Sequence, residues 1–161
     1  MEGDKVVREQ LLYLLRGGNA HMDFEEAIKR FPMDLINTRL PTSDYTAWRL
    51  LEHMRLAQWD ILEFTRDPKH VSPPWPEGYW PAPGKTAGAA EWEQTLAAFR
   101  QDLEAMQALV ADEHTDVTAP LPHAPKYTVI REALVLADHN AYHMGEFGLL
   151  RHIVEAEHKA A

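Results

Sequence analysis

Proline divides this chain more sharply than any other residue type. Six of its eleven prolines fall between Pro68 and Pro83, and three more crowd together as Pro120, Pro122 and Pro125. Each fixes φ at about −65° and removes a backbone donor, so neither a helix nor a central strand is expected to cross either segment. The intervals between carry apolar residues at steps of three and four, which predicts helices.

Four helical stretches follow. The first runs from about Asp4 to Phe31, with Val6, Val7, Leu11, Leu14 and Leu15 toward one side; Gly17 and Gly18 break it, and Asp23 is placed to cap a second piece, FEEAIKRF. Pro32 and Pro41 punctuate MDLINTRLP, which has room for one short helical turn. The second opens near Ser43 and ends near Arg66, before Pro68, with Leu50, Met54, Ala57 and Ile61 marking its face. The third covers about Thr86 to Asp112, with Trp92, Leu96, Phe99, Leu103, Met106 and Val110 on one side. The fourth covers about Thr128 to Glu157, led by Val129, Ile130, Ala133, Leu134 and Ala137. No strand alternation stands out, in TDVTAPLPHAPKY or elsewhere, and no internal repeat. The expectation is an all-α four-helix bundle with a broken first helix and a long Pro/Trp-rich loop after the second helix. At 161 residues and 18.4 kDa, one domain spanning residues 1–161 suffices to bury a core.

Composition then removes function classes. Sixteen Lys and Arg against 25 Asp and Glu give a net charge of −9, which opposes binding to nucleic acid. The absence of cysteine excludes a disulfide scaffold, a thiolate nucleophile, an iron–sulfur cluster and cysteine-ligated zinc. No run approaches the ~18 apolar residues of a membrane span. The start MEGDKVVREQLLYLLRGG lacks the basic, apolar and small-residue regions of a signal peptide. The expected location is the cytoplasm, with no membrane partner.

Nine histidines remain to be placed. His139 and His143, four apart in ADHNAYHMGEF, stack on one helix face, where two neutral imidazoles can share a divalent cation. The same spacing also fits one buried, hydrogen-bonded histidine beside a solvated one. A zincin protease is excluded because Asn140 follows His139 where that motif needs a glutamate. A dinuclear carboxylate centre is improbable too: the chain has a single Glu-x-x-His element, Glu155 to His158, at the end of the last helix. His53, at the edge of the apolar stripe between Leu50 and Ala57, is the natural third arm, because an imidazole facing a bundle core needs a partner. His21, His70, His114, His123, His152 and His158 read as solvated.

A helical chain of this length, with a histidine in WRLLEHMRLAQWDIL and a pair in HNAYHMGEFGLL, resembles the DinB-like (DinB/YfiT) superfamily over nearly its whole length. The resemblance implies a divalent metal held by His53, His139 and His143 inside a four-helix bundle of unusual connectivity, with waters in the remaining positions, and homodimers. It implies function more loosely: several members are transferases or isomerases that use low-molecular-weight thiols. Gly145-Glu146 stands where the family usually carries Gly-Gln.

Three imidazoles leave open coordination positions, as catalytic rather than structural sites do, and suit zinc, nickel, iron or manganese. A small-molecule substrate with a diffusible thiol cosubstrate fits a chain that has no cysteine of its own. Asp60 and Glu146 are candidates to orient the imidazoles, and Glu146 is equally open to a role as ligand or general base. Trp75, Tyr79 and Trp80 are placed to wall a pocket or to close the bundle end. Trp48, Trp59 and Trp92 read as core or dimer-interface residues. The leading expectation is therefore a metal-dependent, thiol-using transferase. A non-catalytic metal-binding or stress-related binding module is the alternative, and a metal-free helical dimer with structural histidines the third.

Overall fold

The structure, a computed structural model, describes residues 2–40 and 45–160. It is built of α1 (Glu2–Arg16), α2 (Phe24–Ile28), α3 (Ala47–Arg66), α4 (Ala89–Ala111) and α5 (Val129–Ala160), with 3-10 turns at Met33–Leu35 and Glu77–Tyr79. α3 packs against α4 and α5, and α1 packs against the same two helices, which makes the expected helical bundle.

Local chemistry sets the element ends. Gly17 and Gly18 adopt φ of +70° and +77°, a left-handed conformation that glycine enters without strain and that stops α1. The Asp23 carboxylate accepts from the Glu26 amide at 2.7 Å and starts α2. The Thr46 hydroxyl accepts from the Arg49 amide and fixes the start of α3 at Ala47. That is later than the expected start at Ser43, which lies outside the described residues. Gly88 has no side chain to cap α4; instead its amide donates back to the Glu91 carboxylate at 3.0 Å.

Two sequence expectations are corrected. Residues of the second proline-rich segment form a small antiparallel hairpin, β1 (Pro120–Leu121) with β2 (Ala124–Thr128). Its first strand is two residues long, too short to show a period of two. On α1, Val6 and Leu14 are exposed, whereas Leu11 and Leu15 are buried together with Arg8. Arg8 takes that inward position because its guanidinium donates to the carbonyls of Val110, Asp112 and Thr115, and so satisfies the C-terminal end of α4.

The core falls into two apolar halves. One gathers Phe24, Phe31, Trp48, Leu50, Met54, Trp92, Phe99, Met144, Phe147 and Leu150. The other gathers Leu11, Leu15, Leu62, Met106, Val110, Val129, Leu136 and Ala137. Each fully buried Leu or Phe contributes about 1.5–3 kcal/mol relative to an exposed position. On α5 the second half ends at Ala137 and the first begins at Met144; His139, Asn140 and His143 occupy the interval. On α3 the corresponding interval, between Met54 and Leu62, holds Gln58 and Asp60, with His53 at its edge. A polar layer thus crosses the bundle between two dry ends.

Candidate metal centre

Helix geometry brings the three histidines together. His53 sits in the second turn of α3, His139 and His143 one turn apart on α5, and the packing of α3 on α5 makes them converge. One ring nitrogen from each lies within 4.8 Å of the others. His53 and His143 are buried and His139 is half-buried.

Their hydrogen bonds fix which nitrogens face the centre. His53 Nδ1 lies 2.8 Å from the Tyr79 carbonyl oxygen, which can only accept, so that nitrogen carries the proton. His143 Nδ1 lies 2.7 Å from Glu146 Oε2 and donates to that carboxylate in the same way. Both Nε2 atoms are left with lone pairs, and they face each other at 3.2 Å. Two lone pairs at that distance repel unless a proton or a cation lies between them. The pattern, an imidazole whose far nitrogen donates to a carbonyl or carboxylate, is how metal-ligating histidines are held. His139 Nδ1 is buried without a hydrogen-bond partner, a further group that the described residues leave unmatched.

Electrostatics keep the rings neutral and able to ligate. Burial pushes His139 down to about 3, helped by His143 and His53 beside it. Burial also lowers His53, with the Tyr79 carbonyl pulling the other way and His143 adding to the fall.

The loop between α3 and α4 supplies one wall. The Trp80 indole stacks on the His53 ring at 3.8 Å and 2° from parallel, and Tyr45 stacks on Trp80 at 4.9 Å. Trp75 is 73% exposed and lies against Tyr79 instead. Tyr142 meets the edge of His143, and the Glu146 carboxylate beside it pushes its phenol up from the ordinary value. Trp48 and Trp92 are core residues, while Trp59 is half-buried against the His70 ring.

Other placements differ from expectation. Asp60 touches none of the three imidazoles; its carboxylate accepts from His70 and from the Tyr79 hydroxyl. His70 is therefore inside, not solvated, because a buried carboxylate two turns from the α3 C-terminus needs donors. His123 is also engaged, with Nε2 donating to the Phe64 carbonyl at 2.7 Å. His21, His114, His152 and His158 are exposed as expected. Behind the histidines, Asn140 donates to Gln58, which donates to the Phe99 carbonyl. Nothing in the sequence marks the Asn140 bond or the Tyr79 carbonyl. For Gln58 alone a signal existed: a polar residue one turn beyond Met54, inside the apolar interval of α3.

Fold and site together define a helical bundle with a three-histidine group that could hold a metal ion. The chain matches the DinB superfamily over residues 18–147, a span that includes all three histidines. It belongs to that superfamily. No curated protein and no solved structure matches it.

Proposed function

We propose that the protein binds one divalent transition metal through His53, His139 and His143 and acts on a small molecule with a diffusible low-molecular-weight thiol as cosubstrate. The observation that carries the metal reading is the pair of unprotonated Nε2 atoms at 3.2 Å. Each is held there by an acceptor on the far side of its ring. Such an ion lowers the pKa of a bound water or thiol and polarises a carbonyl. The chain's own residues hold and shield the centre. Tyr79 and Glu146 fix the imidazoles, Trp80 covers His53, and Glu146 keeps a carboxylate beside the site. With no cysteine in the chain, a reacting sulfur has to arrive from solution.

A homodimer is part of this proposal. It is supported by the outward side of α5, where Leu134, Val135, Tyr142 and Leu149 are all exposed.

Elemental analysis of untagged protein beside His53→Ala and His143→Ala tests the metal. About one equivalent, lost in both variants, is expected; none after reconstitution overturns the reading. With metal in place, a panel of common thiols and electrophiles tests the transferase. Silence across that panel leaves a non-catalytic metal-binding module.

A further inference from the structure

We infer that Asp60 is a positioning residue for His53, acting through the loop that follows α3. The inference rests on the metal reading only for its consequence; the positioning itself is a property of the metal-free chain.

Asp60 is buried, and both of its carboxylate oxygens are used. Oδ1 accepts from His70 Nε2 at 2.7 Å, and Oδ2 accepts from the Tyr79 hydroxyl at 2.6 Å. Both donors belong to the same loop, one at each end of the segment 70–79, so a single side chain of α3 closes that segment at its base. Val71 and Trp75, 84% and 73% exposed, lie on the span between. His70 is held from a second side by the edge of Trp59, and its side chain is only 8% exposed.

The base of this loop is also what His53 leans on. Tyr79, whose hydroxyl is fixed by Asp60, gives its main-chain carbonyl to His53 Nδ1 at 2.8 Å. The next residue, Trp80, lies flat on the same imidazole. One residue of loop therefore sets the tautomer of His53 and the next sets its plane. Both are carried by a segment that Asp60 ties to α3 through His70 and Tyr79, while Arg49 holds the far side of the loop at the Ala82 carbonyl, 2.7 Å away. Burial and the Asp60 carboxylate push the Tyr79 phenol up to about 12, so it remains a donor throughout the neutral range.

The clean variant is Tyr79→Phe, which deletes the hydroxyl and keeps the carbonyl and the ring. Asp60→Ala deletes both attachments, and the double variant tests whether they form one pathway. Two readouts are needed: zinc affinity by competition with a chromophoric chelator, and long-range proton–nitrogen spectra of the metal-free protein, which report the His53 tautomer. The wild-type His53 is expected to show one tautomer, protonated on Nδ1. Tyr79→Phe and Asp60→Ala are expected to mix the tautomers and to weaken zinc binding about tenfold. The double variant should bind zinc no worse than Asp60→Ala. A folded Tyr79→Phe with the wild-type His53 spectrum and zinc affinity overturns the inference, and so does an additive double variant. Should the wild-type protein take up neither zinc, nickel, iron nor manganese, the metal reading falls, while the tautomer spectra still decide the role of Asp60.

Discussion

His53 on α3 and His143 on α5 point their Nε2 atoms at each other across 3.2 Å, each with its other nitrogen committed to an acceptor. The bundle has placed two lone pairs in contact at the boundary between its two apolar halves. The arrangement costs stability unless a proton or a cation lies between the two atoms.

The burial of His139 beside that pair has a pH signature of its own. His139 is held at about 3 against 6.5 for the free side chain. Between those values the unfolded chain therefore binds a proton that the native chain does not. The contribution of His139 to metal-free stability is complete above pH 6.5 and is lost as pH falls toward 3. The slope from this one site reaches ~1.4 kcal/mol per pH unit. His53, shifted the same way, adds to it. Denaturant titrations at several pH values should show a steeper acid loss for the wild type than for His139→Gln. Parallel curves would contradict the burial of a neutral ring.

Glu146 separates positioning from proton transfer. Its carboxylate accepts a hydrogen bond from His143 Nδ1–H at 2.7 Å, and an amide oxygen can accept the same bond. Glu146→Ala should weaken metal binding by about ten- to a hundredfold. Glu146→Gln should keep the metal at near wild-type stoichiometry with a smaller loss. If Glu146→Gln retains metal but abolishes turnover in a thiol assay, the carboxylate also serves as a base. Equal metal loss in both variants would show that the negative charge, and not the hydrogen bond, is what His143 requires.

The triad was legible because its spacing is a helical property: four residues on α5 and one imidazole on the edge of an apolar stripe. The rest was hidden for physical reasons. The group that orients His53 is a main-chain carbonyl, which every residue owns and no sequence pattern marks. His70 looked solvated because it lies in a proline-rich loop, yet Asp60 draws it inside. The inward turn of Arg8 was equally invisible, since its partners are carbonyls more than a hundred residues away. Trp80 was expected to wall the site and does so, but its stacking on His53 depends on where the loop crosses α3.

Arg8 is the clearest stability test away from the site. It is 7% exposed and satisfies the Val110, Asp112 and Thr115 carbonyls at the end of α4. Arg8→Ala strands at least one buried carbonyl and should cost about 2–3 kcal/mol, lowering Tm by about 4–12 °C. Metal stoichiometry should not change, because the affected turn belongs to the opposite apolar half from Met54 and Met144, the neighbours of His53 and His143. A loss of metal in folded Arg8→Ala would mean that the two halves are coupled through the polar layer.

Gly78 tests the loop from the other direction. A Cβ built there would lie 2.5 Å from Pro73 Cβ and 3.0 Å from Pro74 Cδ. Neither proline ring can swing aside, since each is part of the backbone it would have to move. The Gly78 amide also donates to the Pro74 carbonyl at 2.8 Å, so the close approach is part of how the segment folds on itself. Gly78→Ala must therefore move backbone in this segment, and a shift on its own side moves Tyr79 and with it the carbonyl on His53. Helix content by circular dichroism should stay at the wild-type level, because the substitution touches none of the long helices. Tryptophan emission should change as Trp80 shifts from the His53 ring, and metal affinity should fall by about tenfold, the usual cost of disturbing the partner of a ligating histidine. Wild-type emission and affinity in this variant would show that the loop can reach His53 by another path.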